Sequence, residues 1–90
     1  MKFEWNENKS ITNKEKHGID FKSAKEIWND PARIEIQTAF SDENRNILIG
    51  KIETKLWAAV FTRRNNSMRI ISVRRARKKE TELYEQKEIS

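Results

Sequence analysis

Apolar and polar residues alternate across Lys2 to Trp5, with Phe3 and Trp5 on one side, and this pattern predicts a short strand. Asn6 can cap a helix that begins at Glu7 and stops at Gly18. Lys14, Lys16 and His17 occupy its last turn, where cations favour the negative end of the dipole, and Ile19 can make the contact that follows a glycine C-cap. The helix carries no apolar stripe. Ile11 is its only apolar residue, and Lys9, Asn13 and Lys16 stack on the opposite face, so burial of apolar surface does not account for it.

Asp20 can cap a second helix in which Phe21, Ala24, Ile27 and Trp28 fall on one stripe, ended by Asn29, Asp30 and Pro31. Strands are predicted at Arg33 to Gln37, Asn46 to Ile52, Leu56 to Thr62 and Met68 to Val73, joined by polar segments short enough for an antiparallel meander. Leu56 to Thr62 is apolar on both faces and is expected to be central. Arg74 to about Glu88 is rich in helix formers and reads as a terminal helix. The expected fold class is α+β: two N-terminal helices packed on a mainly antiparallel sheet of four to five strands, with a C-terminal helix. The acids Asp42 and Glu43 fall in a polar loop, where solvation explains them.

Ninety residues make one domain, spanning 1–90, and a chain this short buries only roughly 60 to 65% of its unfolded surface, so the core is thin. Three Trp, four Phe and clustered Ile nevertheless argue for a packed domain rather than disorder. Cysteine is absent and there is one histidine, so neither disulfides nor a Cys/His metal site is expected, and no cofactor is implied. No apolar run approaches the roughly 20 residues that cross a bilayer, and MKFEWNENK lacks the apolar stretch of a signal peptide. A cytoplasmic protein without a membrane partner is the expectation.

Charge changes the picture most. Arg63 to Lys79 holds eight basic residues and no acidic one, whereas the first 62 residues carry ten of each. Clustered positive charge raises the local concentration of polyanions and releases counterions on neutralising phosphates. The window spans the turn after the central strand, a whole strand and the start of the last helix, so its arginines can converge on one end of the sheet as a phosphate cradle. Strict alternation puts Arg69 with Ile71 and Val73, and Arg74 with Met68, Ile70 and Ser72, so not every arginine points the same way. A merely solubilising face is the plainer reading of the same charge.

Glu80 falls on a helical wheel among Ala76, Leu83, Tyr84 and Lys87, within the stripe that should face the sheet. It is either a general base with Tyr84 one turn on, or the structural partner of an arginine. His17 is either a capping and dipole partner or a proton-transfer group. Trp5, Trp28 and Trp57 fit core positions, although an exposed indole can stack on a base. There is no Gly-rich phosphate loop, zinc spacing or serine nucleophile motif.

Taken together, FEWNENK, NKEKHGIDF, the Asp30-Pro31 pair, Arg45 with Ile49-Gly50, and RIISVRRARKKETELY resemble the BrnT family of toxins from bacterial BrnT/BrnA type II toxin-antitoxin pairs. The resemblance implies a RelE-like fold, metal-independent cleavage of RNA that arrests translation, and neutralisation by a cognate BrnA-like antitoxin. That partner would bring a ribbon-helix-helix domain, a heterotetramer, and indirect contact with operator DNA. Position by position, Lys9, Asn13, Lys16 and His17 match the family's first helix, Arg64 matches the turn after the central strand, and Arg69, Ser72, Arg74, Glu80 and Tyr84 match the closing motif. Asn6 stands where Asp is usual, Val73 where Ala is usual, and Lys51 to Lys55 lacks a glycine often seen there.

The expected reaction is attack of a 2′-hydroxyl on the adjacent phosphorus, which needs a base, an acid and positive donors for the phosphate oxygens. Arg64, Arg69 and Arg74 are the candidate clamp, Glu80 or Lys9 the candidate base, and Tyr84 or His17 the candidate acid. Arg63, Arg75, Arg77, Lys78, Lys79, Asn13 and Lys16 are candidate RNA contacts. The alternative is a basic nucleic-acid-binding module without catalysis.

Overall fold

A computed structural model describes residues 1–38 and 44–89, with side chains through Gln86. Asp42, Glu43 and the Lys87 side chain lie outside the described residues. The elements run β1 (Lys2–Glu4), α1 (Glu7–His17), α2 (Phe21–Ala24, continuing as a 3-10 helix Lys25–Asn29), β2 (Ile34–Gln37), β3 (Arg45–Ile52), β4 (Lys55–Arg64), β5 (Ser67–Arg75) and α3 (Lys78–Ile89). They form one five-stranded sheet in the order β1-β5-β4-β3-β2, so β4 is central as its two apolar faces predict. Among the described residues the β1–β5 pairing is parallel and the other three are antiparallel.

Each face of the sheet carries its own core. On the first, Phe21, Ala24, Ile27 and Trp28 of α2 pack on Leu48, Trp57, Ala59, Phe61, Ile70 and Val73. Trp28 meets Phe3 and Phe61 edge-on, with centroids 5.0 and 5.2 Å apart. Burying a side chain of this stripe such as Phe21 contributes about 2 kcal/mol. On the second face α3 lays Tyr84 over Ile49 and Ala58, with Ile34, Ile36, Ile47, Leu56 and Ala76 around them.

α1 is held differently. Asn6 caps it through a bond from the Lys9 N–H, and Gly18 ends it at φ 79°. Ile11 is 53% exposed, while Ser10 and Asn13 are buried. Ser10 Oγ accepts from the Phe21 N–H, and Asn13 Nδ2 donates to the carbonyls of Ile19 and Val73, each at 2.8 Å. Asn13 Oδ1 also accepts from the Val73 N–H. The short β1 pairs only with Ser67 to Arg69, so beyond it the carboxamide of Asn13 takes the place of a strand neighbour at the β5 edge. Hydrogen bonds therefore supply what the missing apolar stripe cannot.

The structure departs locally from the sequence-based expectation in three further ways. The second helix is α-helical only over Phe21–Ala24 before tightening into a 3-10 turn. The last helix begins at Lys78 rather than Arg74: Arg74 and Arg75 pair with Ala58 and Trp57, and the Ala76 N–H bonds the Leu56 carbonyl, prolonging β5. Finally, Ile70 pairs with Phe61 and Ser72 with Val60, leaving Ile71 as the extra residue of a β-bulge.

The β3–β4 turn is only Glu53 and Thr54, and Glu53 takes φ 57° there. That left-handed position is where the glycine absent from Lys51 to Lys55 would be free of strain.

Candidate nucleic-acid interface

The bulge decides which arginines share a surface. Because Ile70 and Val73 both enter the first core, alternation is reversed between them, and Arg69 and Arg74 come to the same, α3-side face. This corrects the strict-alternation expectation that separated them. Cross-strand neighbours share a face, so successive rows can be read across that side. One row runs Arg45, Thr62, Arg69 and Glu4; the next Ile36, Ile47, Val60 and Ser72; the next Ile34, Ile49, Ala58 and Arg74. Arg64 sits beyond, opposite Ser67 and Lys2. Tyr84 of α3 covers the Ile49–Ala58 row, while Val60, Thr62, Arg69 and Ser72 stay half-buried and Arg64 is exposed.

The basic window does not form one cradle. Arg63 lies on the opposite face, forked onto Glu35 at 2.6 and 2.7 Å and stacked over Phe61. Arg75 lies over the Trp57 ring and donates to the Leu56 carbonyl. Arg77, Lys78 and Lys79 are exposed where α3 begins. Arg69 reaches Glu4 at 3.7 Å. Arg74 is five positions further along β5, roughly 15 Å away.

Arg74 forks onto both oxygens of Glu80 at 2.7 and 2.9 Å, and their side chains are only 20% and 12% exposed. Glu80 Oε1 also accepts from the Arg77 N–H, so it closes the first turn of α3 in the manner of a capping box. The Arg74 guanidinium outweighs burial and, with the Arg77 N–H, holds the Glu80 carboxyl below its usual range; Glu80 in turn raises Arg74. Tyr84 is buried, and its hydroxyl donates to Asp30 Oδ2 at 2.7 Å. Asp30 also accepts from the N–H groups of Ala32 and Lys51. Burial pushes the Asp30 carboxyl up, but these donors prevail and it is lowered. Gly50 permits the close approach, because a Cβ there would lie 3.0 Å from Ile27 Cγ2.

The four α1 candidates come together. Lys9, Asn13, Lys16 and His17 line a groove of about 300 Å³ with Asn8, Thr12, Ile71 and Ser72. Lys9, Lys16 and His17 are exposed. Ser72 joins this groove to the sheet face, since it lies in register between Arg69 and Arg74. Of the tryptophans, Trp28 and Trp57 are core, and Trp5 packs edge-on against Phe21 while its indole N–H donates to Glu7.

Sequence reasoning did not single out Asn8 and Thr12 for the groove, although their spacing of four on a helix places them together. It missed Arg45 and Lys2 as neighbours of the sheet arginines, because only cross-strand register brings them there. Asp30 read as a helix stop and proves to be the acceptor that joins three segments.

Residues 5–80 match the model of a family described as BrnT, the ribonuclease toxin of type II toxin-antitoxin systems. The matched span includes the groove and Arg74–Glu80 and stops before Tyr84. No curated protein matches the chain.

Proposed function

The chain belongs to the BrnT family of ribonuclease toxins, and on that footing we propose that it cleaves RNA without a metal, through the α1 groove and the adjoining arginines, to arrest translation. The observation that carries the reading is the meeting of Lys9, Lys16 and His17 with Ser72 in one groove, beside the face that bears Arg64, Arg69 and Arg74. The architecture is RelE-like in this reading. Membership also brings an RNA substrate and a protein antitoxin. The antitoxin we infer is a BrnA-like ribbon-helix-helix protein that forms a heterotetramer with the toxin and makes the operator contacts.

In the reaction, the 2′-oxygen attacks phosphorus and the bond to the 5′-oxygen breaks, leaving a 2′,3′-cyclic phosphate and a 5′-hydroxyl. Arg64 and Arg69 donate to the phosphate oxygens as charge gathers on them. Lys9 takes the proton of the 2′-hydroxyl and His17 returns one to the leaving oxygen. Glu80 and Tyr84, whose polar atoms are occupied by Arg74, Arg77 and Asp30, position the sheet face and transfer no proton.

The test is incubation of the purified chain with RNA in EDTA, followed by mapping of the ends. New cyclic-phosphate and 5′-hydroxyl termini support the proposal, and Arg64→Ala should lower their rate about a hundredfold with the fold intact. Salt-sensitive binding with no new ends would establish the non-catalytic alternative instead.

A further inference from the structure

We propose that the groove between α1 and the β5 bulge is a subsite for a single unpaired nucleotide, which makes single-stranded RNA the substrate class; the inference rests on the ribonuclease reading above. Among the described residues the outer rows of the sheet face present arginines and half-buried Val60 and Thr62 across neighbouring strands, a surface that meets phosphates.

The groove differs in shape and lining. Its roughly 300 Å³ lies at the small end of ligand sites, room for one nucleotide and not for a stacked run. Half-buried Ile71, displaced by the bulge, offers an apolar side chain against the face of a base. Asn8 and Thr12, both exposed and one turn apart on α1, present an amide and a hydroxyl to base edges, with the Ser72 hydroxyl across from them. Lys16 stands roughly 10 Å from Lys9 along the same helix, placed for the phosphate on the far side of the inserted nucleotide. The buried carboxamide of Asn13 is committed to Ile19 and Val73 and supports the wall without reading the base. A base in an A-form duplex remains stacked and paired, so it cannot enter.

The decisive experiment uses the full chain and one fluorescent oligoribonucleotide of mixed sequence, either single-stranded or annealed to its complement, with binding and cleavage both measured. The single strand should be bound and cut at least tenfold better than the duplex. Thr12→Trp, at an exposed helix position, should reduce both by tenfold or more with an unchanged melting temperature. Asn8→Ala should alter which base stands at the cut. Ile11→Trp, on another side of α1, should match the parent. If the duplex serves equally well, or Thr12→Trp binds and cuts like the parent, the subsite is refuted while the nuclease stands. If no RNA is cut by any form, the nuclease reading fails, and the subsite is judged on binding alone by the same two comparisons.

Discussion

Arg74 and Arg64 lie on the same face of two paired strands, yet their charges do opposite things. Arg74 is one-fifth exposed and spends its fork on Glu80, which also caps α3, while Tyr84 of the same helix is anchored on Asp30. Among the described residues no buried side-chain nitrogen or oxygen is left without a partner, and the α3 side shows how that is achieved. Across the Ser72 row the pattern reverses: Arg64, Lys9, Lys16 and His17 are exposed, with no ion pair among the described residues. Charge satisfied internally holds a fold together, and charge left in solvent is available to a polyanion. The lesson is that a basic stretch in the sequence mixes the two kinds: Arg63 and Arg74 are forked onto carboxylates, and Arg64 is not.

Substitutions can break or sharpen that contrast. The largest expected loss of stability is at Asn13, which lines the groove but belongs with the committed groups. Asn13→Ala strands the N–H and carbonyl of Val73 and should cost about 3 kcal/mol, measured by denaturant unfolding. A fully stable Asn13→Ala that had lost only RNA binding would erase the distinction.

Next in size is Glu80→Gln, which removes the charge facing Arg74 and should lower stability by about 2 kcal/mol. The pH dependence carries a definite sign. The carboxyls of Glu80 and Asp30 are both lowered in the folded state, so their stabilisation is complete above the ordinary carboxylate range. It is lost as the pH falls below roughly 4 toward the depressed values. Melting curves from pH 7 downward should show this loss, blunted in Glu80→Gln.

Tyr84→Phe deletes one buried hydrogen bond and should cost about 1 kcal/mol while cleavage continues at the parental rate. A hundredfold fall in rate with the melting temperature unchanged would restore Tyr84 to the role of general acid. The smallest effect is a gain: Glu53→Gly relieves the left-handed position in the β3–β4 turn and should add about 1 kcal/mol in the same unfolding assay.

Much of this was written in local sequence. The Asn6 and Asp20 caps, the Gly18 stop, the α2 stripe and the doubly apolar β4 depend on propensity and periodicity within a few residues, and each is found where the pattern puts it. Ser10 and Asn13 could not be recognised as the anchors of α1, because their partners are the backbones of Phe21, Ile19 and Val73, and polarity alone predicts exposure. Likewise Asp30, Gly50 and Tyr84 form one junction although the chain separates them widely.

The sequence by itself determined the elements, their order and the uneven charge, since these follow from spacing and composition. Tertiary structure alone decided which charges are neutralised and which are offered outward. The physical reason is that partners and faces depend on pairing between distant segments: the extra residue at Ile71 reverses the pleat between Ile70 and Val73 and brings Arg69 and Arg74 to one face, and the short β1 leaves the edge where Ile71 and Ser72 meet the groove of α1.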